Sequence, residues 1–257
     1  MTTEETKISL ITVNYNNAKS IDKTLSSLMV QDMKECEFIF IDGGSTDASI
    51  LKIKSFCEAR DNAKYISEDD NGIYEAMNKG VKLASGELIG FVNSGDALCK
   101  SSTLKAIWEQ YIKYERPAGI YGNKQYVSAD GRISRTWRPG KFKRWKYIFG
   151  WMTPHQSTYI QRSCYEKLNF DETYKIAGDY KFMFQVFFVN RQSAYYLDED
   201  VVYMETGGVS NGSLKNIFKS NMEVLRAWKE LYFFVPIWIF LVKPGSKLLQ
   251  LVKALGK

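Results

Sequence analysis

Glu87-Leu-Ile-Gly-Phe-Val-Asn-Ser-Gly-Asp96 is the stretch on which the fold turns. Glu87 to Val92 reads as a strand, and its core is apolar without alternation. Such a run suits a strand covered on both faces. It stops abruptly at the polar cluster Asn93-Ser94-Gly95-Asp96. Open α/β sheets bind their ligands beyond the carboxyl ends of their strands, so this cluster is a candidate site.

The same pattern repeats toward the N-terminus. Lys7 to Asn14 is a β-rich run closed by Asn14-Tyr-Asn-Asn17, and Glu37 to Ile41 is closed by Asp42-Gly-Gly-Ser-Thr-Asp47. Ala63 to Ile66 is followed by Glu68-Asp-Asp-Asn-Gly72. Between these strands the apolar residues fall at helical spacing: Ser20, as N-cap, to about Gln31, Asp47 to Arg60, and Ile73 to Ala84 with Ser85-Gly86 as its stop. A further helix is expected from Ser101 or Ser102 to Glu115. Strand–helix alternation with short polar loops predicts an α/β fold, a mostly parallel sheet with helices on both faces.

Beyond Ala118 the pattern changes, marking residues 1–117 and 118–230 as two halves of one domain. Ile120 to Val127 and Ile133 to Trp137 flank Asp130-Gly131, a hairpin signal. A basic, aromatic loop follows from Arg138 to Met152, then a strand from Gln156 to Ile160. Gly178 to Asn190 reads as an apolar helix, Ala194 to Glu205 as a strand and Ser213 to Leu231 as a helix. Residues 231–257 form a C-terminal extension: apolar Leu231 to Phe240, then leucines among Lys247, Lys253 and Lys257. That composition suits a helix lying on a membrane surface, or one packed on the body of the protein or on a second copy of the chain as a homodimer.

Composition narrows the classes. The chain has 257 residues, 45% hydrophobic and 25% charged, an ordinary globular balance. Cys36, Cys57, Cys99 and Cys164 form no CxxC pair, which argues against a zinc site or a disulfide framework. Met1 to Lys7 lacks a signal-peptide pattern, and no apolar run reaches the ~18–20 residues that span a bilayer. The expectation is a cytoplasmic protein, peripheral on the inner face of the membrane. From Gly131 to Tyr165 there is no acid, while Arg132, Arg135, Arg138, Lys141, Lys143, Arg144, Lys146 and Arg162 are basic. Such a one-sign segment points to an anionic partner. Aromatics within it fit a lipid headgroup at least as well as nucleic acid, and no nucleic-acid partner is expected.

Five constellations carry candidate chemistry. Tyr15 can stack on a base and Asp42 can accept hydrogen bonds from a base or ribose, or merely cap the next helix. GxGxxG and GxxxxGK[ST] are both absent, so dinucleotide and P-loop readings lose their signatures. Asp69 and Asp70 precede a helix carrying Asn78 and Lys79, whose alternative is a solvated face. Asp96, beside Asn93, is a candidate ligand for Mg2+ or Mn2+, or a turn residue. Asp179 opens an apolar helix and is a candidate general base. His155 is the chain's single histidine and follows Pro154 in a loop, which excludes a multi-histidine metal centre.

Together, Ile11 to Asn16, Ile41 to Asp47, Asp70 to Gly80, Ala84 to Asp96, Pro154-His-Gln156, Gly178-Asp179 and Gly207 to Ser210 resemble the family 2 glycosyltransferases of the GT-A fold. More narrowly they resemble the bacterial enzymes that assemble O-antigen, capsule or exopolysaccharide units. The likeness covers about residues 7 to 210. It implies an inverting transfer from a nucleotide sugar, often a UDP-sugar, with a divalent metal. It further implies that Tyr15 and Asp42 contact the uridine, and that Asp69, Asn78, Lys79, Asn93 and Asp96 lie near the donor. Asp179 matches the family's base. His155, Arg138 and Trp151 would face the acceptor, a polyprenyl-diphosphate-linked saccharide. Two departures stand out. The DxD acids are replaced by Asn93-Ser94-Gly95, so that metal binding is weaker, rests on Asp96 with the diphosphate, or is absent, and Gly178 stands where an acid pair is common. A non-catalytic GT-A-like scaffold is the rival reading. A nucleotidyltransferase is less favoured, because Asn14 to Lys19 lacks its Gly-rich basic loop.

Overall fold

The computed structural model describes residues 5–128, 131–205, 214–236 and 238. Its centre is a nine-stranded sheet in the order β3-β2-β1-β4-β8-β6-β9-β5, with β7 paired to β6. The strands are β1 Ile8–Asn14, β2 Cys36–Asp42, β3 Ala63–Ser67, β4 Leu88–Phe91, β5 Ala97–Leu98, β6 Gly119–Val127, β7 Ile133–Trp137, β8 Thr158–Gln161 and β9 Ala194–Glu205. The helices are α1 Ile21–Met29, α2 Ser49–Glu58, α3 Ile73–Leu83, α4 Thr103–Lys113, α5 Arg162–Lys167, α6 Gly178–Met183 and α7 Leu214–Leu231.

The first four strands in space are parallel, as the alternation predicts. β8 then runs antiparallel to both β4 and β6, so β6 points the same way as β4. This detail matters for the site, because it brings the carboxyl end of β6 to the same edge as those of β1, β2 and β4.

Each face of the sheet has its own core. Ile8 and Leu10 of β1 pack with α1, α2 and α4 through Ile21, Leu28, Ile53, Phe56, Leu104 and Ile107. Ile11, pointing the other way, packs with α3, α6 and α7 through Met77, Phe182, Phe184 and Trp228. That reversal is the period-2 geometry of a strand buried on both sides. β4 needs Gly90 because a Cβ there would lie 2.4 Å from the Tyr159 ring of β8.

Several expected boundaries move. The helix expected over Gly178 to Asn190 is α6 followed by a wider π turn over Phe184–Val189. The strand expected from Gln156 starts at Thr158, because His155–Ser157 forms a short 3-10 turn. The basic loop contains a second such turn, Arg144–Phe149. Ser20 does not cap α1 with its side chain; its hydroxyl donates to Glu205 Oε2 at 3.1 Å. The β6–β7 hairpin forms as expected, with Gly131 at φ +82°, although Asp130 lies outside the described residues. Gly207 to Ser210 and most of the C-terminal extension also lie outside them. Among the described residues, no helix is long and apolar enough to cross a membrane.

Candidate active site

The site is assembled by register. Asn14 sits opposite Asp42, and Asp42 opposite Ser67, at the carboxyl ends of β1, β2 and β3. Asp42 is fully buried. Its carboxylate accepts from Asn14 Nδ2 (2.6 Å), Ser45 Oγ (2.6 Å), Ser45 N (2.9 Å) and Ser67 Oγ (2.7 Å). Burial alone would raise its pKa, but these donors hold it below the ordinary carboxylate value. The family resemblance implies a contact between Asp42 and the donor's uridine. In the fold its carboxylate also joins three strand ends into one platform.

Gly43 and Gly44 continue that platform. A Cβ on Gly43 would lie 2.8 Å from Asp70 Oδ2, and one on Gly44, at φ +74°, would lie 2.3 Å from Asp69 Oδ1. The glycines thus let the acidic loop after β3 close over the loop after β2. Tyr15 lies on the same platform and is 66% exposed, so its ring is open to a planar partner. Lys79 sits behind Asp69: its Nζ donates to the Asp69 carbonyl (2.9 Å) and pairs with Glu68 (3.0 Å) and Glu75 (3.2 Å). Asn78 does not face the cleft. It is buried, donates to the Phe170 carbonyl (2.9 Å) and Glu172 Oε1 (2.8 Å), and accepts from Phe170 N (3.0 Å). Asn78 therefore fastens the 170–172 loop to α3. A helical residue two turns from its start reaches whatever packs on its face, which periodicity alone cannot identify.

After β4 the chain turns at Asn93–Asp96, with Gly95 at φ +100°. Thr24 of α1 clamps the turn: its hydroxyl accepts from Gly95 N (2.9 Å) and donates to the Asp96 carbonyl (2.6 Å). Among the described residues, Asn93 Oδ1 is buried with no hydrogen-bond partner. Asp96 is 6% exposed. Burial pushes its carboxyl up to about 7, against the pull of the Lys124 ammonium and the Glu205 backbone N–H. A folded value above the unfolded one means that the contribution to stability is full at acid pH and is lost as pH rises toward 7. The melting temperature of the wild type minus that of Asp96→Asn should therefore fall between about pH 4 and about pH 7 and level off above that. A flat difference would show an Asp96 carboxyl open to water.

Asp179 lies in the first turn of α6, where the helix dipole favours an anion. Its Oδ1 accepts from Tyr180 N (2.8 Å) and lies 3.4 Å from the Tyr74 hydroxyl. A Cβ at Gly178 would lie 2.8 Å from the Tyr74 ring, so a second acid beside Asp179 has no room. His155 stacks on Phe91 at 5.1 Å and meets Phe170 edge-on at 5.9 Å. Burial lowers its pKa most; the Asp179 charge raises it and the Lys124 charge lowers it further. His155 is thus held toward its neutral form with charges of both signs acting on it, and among the described residues its Nε2 is buried without a partner.

Three residues of this arrangement escaped the sequence reading. Lys124 reads as one position in a strand, yet its side chain lies near Asp96 and His155. Glu205 joins α1 to the Asn93–Asp96 turn: its carboxylate accepts from Ser20 and Lys23, and its backbone N–H donates to the Asp96 carboxyl. Glu223 of α7 accepts from the backbone N–H groups of Lys175 (3.1 Å), Ile176 (2.9 Å) and Ala177 (2.8 Å), fixing the segment that leads into Asp179. No motif flags a glutamate in a polar helix 44 residues downstream of Asp179. Arg138 is exposed beyond β7, where its charge reaches Asp198. Trp151 packs edge-on against Tyr121 and Tyr147 and takes the Lys146 ammonium on its ring, so it is part of the loop's own packing.

The family model for glycosyl transferase family 2 matches residues 9–190. A PGL/p-HBAD biosynthesis glycosyltransferase of Mycobacterium tuberculosis is 28% identical over 206 residues, covering 79% of this chain and 78% of the relative. The glycosyltransferase GlyA of Streptococcus pneumoniae is 27% identical over 125 residues, 49% of this chain and 18% of that protein. Among solved structures, S. aureus TarS 1-349 in complex with UDP-GlcNAc superposes with a TM-score of 0.65 at 20% identity, over 97% of this chain and 80% of that one. In another TarS 1-349 structure the chain spans 65% of its length. A mannosyltransferase from Pyrobaculum calidifontis, in complex with GDP-Man and Mn2+, gives 0.64 at 16% identity, over 97% and 73%. The structural likenesses establish the GT-A fold, and the family match spans β1 to the π turn behind Asp179. The chain belongs to glycosyl transferase family 2 and is a glycosyltransferase.

Proposed function

We propose that this glycosyltransferase moves a sugar, with inversion, from a nucleotide sugar to a lipid-linked saccharide at a membrane surface. The observation that carries the reading is the position of Asp179, in the first turn of α6, 3.4 Å from the Tyr74 hydroxyl, with its charge acting on His155, whose ring stacks on Phe91 at the end of β4. A carboxylate near that strand end suits in-line displacement. Asp179 takes the proton of the acceptor hydroxyl, whose oxygen bonds to the anomeric carbon. The bond from that carbon to the diphosphate oxygen breaks, and the electron pair leaves with the nucleoside diphosphate.

Tyr15 offers an open ring to the base, and Asp69 and Asp70 border the same platform. A uridine donor is favoured: TarS was solved with UDP and with UDP-GlcNAc, although the Pyrobaculum enzyme was solved with GDP-Man. A panel of nucleotide sugars, scored for release of the nucleoside diphosphate with and without Mn2+, tests the reading. Release from a UDP-sugar supports it, and no release from any donor would sink it.

The family resemblance implies a divalent ion. One carboxylate with a diphosphate and water can hold Mg2+ when the carboxylate faces the cleft. Here Asp96 is buried, bonded by the Glu205 backbone N–H, and shares its surroundings with the Lys124 ammonium. Among the described residues, no three His, Cys, Asp or Glu side chains gather as a metal-holding group. This donor set does not fit a resident divalent ion.

The membrane reading rests on a surface patch. Trp145 and Phe149 are exposed in the basic loop, and Phe233 is exposed just beyond α7. Trp238 Nε1 donates to the Ile148 carbonyl at 3.0 Å, which joins the two segments. Exposed aromatics beside Lys141, Lys143 and Arg144 suit an anionic headgroup layer. Trp145→Ala with Phe149→Ala should lower binding to vesicles containing phosphatidylglycerol; unchanged sedimentation with them would refute the patch.

A further inference from the structure

Lys124 is a lysine where a sheet rarely places one. It lies on β6 between β9 and β7, opposite Val202 and Trp137, and is 5% exposed. Its Nζ lies 3.0 Å from Gln156 Oε1 and 3.5 Å from Met204 Sδ. The rings of Tyr126 and Trp137 lie 4.9 and 5.4 Å away. Among the described residues, no carboxylate comes within ion-pair distance of it. A buried ammonium without an anion is costly, and such groups are ordinarily paired.

Topology indicates what the missing anion is. β6 runs with β4, so position 124 lies at the carboxyl edge that also carries Asn93–Asp96. A buried cation at that edge, with no carboxylate among the described residues within ion-pair distance, suits an anionic ligand.

We propose that Lys124 is the resident cation of the donor site, that it contacts the diphosphate of the nucleotide sugar, and that transfer needs no divalent metal. The inference rests on the glycosyl-transfer reading above. As the bond between the anomeric carbon and the diphosphate oxygen breaks, negative charge gathers on that oxygen. The Lys124 ammonium balances this charge without giving up its proton, and the acceptor's proton stays on Asp179. A fixed charge in a water-poor site needs no reorganisation at the moment of reaction.

Calorimetric titration with UDP, GDP and inorganic diphosphate, all in EDTA, tests the proposal on the full chain. Wild type should bind at least one of them without metal. Lys124→Met should bind it ~10- to 100-fold more weakly, the range of a lost charge-assisted hydrogen bond, and Lys124→Arg should recover most of that. Turnover of the wild type in EDTA should stay within about twofold of that in Mn2+, a readout that needs no variant. Wild-type turnover that vanishes in EDTA and returns with Mn2+ overturns the proposal. So does a folded Lys124→Met that binds the nucleotide as tightly as wild type, since Lys124 would then be only a structural counter-charge for Asp96. A wild type that binds no nucleotide and releases none from any sugar donor overturns the donor-site reading itself, and this inference with it.

Discussion

Asp179→Asn should lower turnover by ~100- to 10,000-fold while leaving nucleotide binding within about twofold of wild type. The size follows from the role: removing a general base costs the proton transfer in the transition state, not ground-state binding. The split follows from the geometry. Asp179 belongs to α6, beside Tyr74 and with its charge acting on His155, whereas the platform proposed for the nucleotide is built by Asn14, Asp42, Gly43 and Gly44. Asparagine keeps the size of the side chain and can still accept from Tyr180 N through its oxygen, so α6 keeps its start. Rates measured under saturating donor and acceptor, with nucleotide affinity from the same preparation, separate the two quantities. A variant that keeps full turnover removes Asp179 as base, and one that loses nucleotide affinity in parallel assigns it to donor binding.

Trp228→Ala is expected to be the most damaging single change to stability, at about 3–5 kcal/mol. Trp228 is fully buried in α7, packs on Phe184 at 4.4 Å and Phe188 at 5.0 Å, and donates from Nε1 to the Tyr180 hydroxyl at 2.8 Å. Truncation leaves a large cavity and removes a donor from a buried hydroxyl. For a chain of this size the melting temperature should fall by on the order of 10 °C. Because α7 also carries Glu223, whose carboxylate fixes the 175–177 backbone, activity should fall before the protein unfolds. A variant melting within a degree or two of wild type would mean that α7 is not part of the cooperative core.

Both variants lie where the chain brings distant segments together, and that is where sequence and structure part. The strand-and-loop rhythm from Lys7 to Asp96 is legible because each strand is short, apolar and closed by its own turn residues. Local chemistry decides those boundaries. Asp179 was legible for the same reason, as an acid at the head of an apolar run. The tasks of Asp42 and Asn78 were not. Whether a carboxylate meets a ligand or four protein donors depends on which strand lies beside it, and the pairing of Asn14 with Asp42 is a property of the sheet.

By itself the sequence determined the α/β class and the parallel first half, and it singled out a candidate ligand edge and Asp179 as the candidate base. The tertiary structure alone decided that β8 runs antiparallel and so turns β6 to point with β4. It also decided that Tyr74 fills the space beside Gly178, that Glu223 holds the segment before Asp179, and that Lys124 lies near Asp96. Turn chemistry and periodicity are local and can be read along the chain. Charge complementarity and burial arise between segments a hundred residues apart, and only packing assigns their partners.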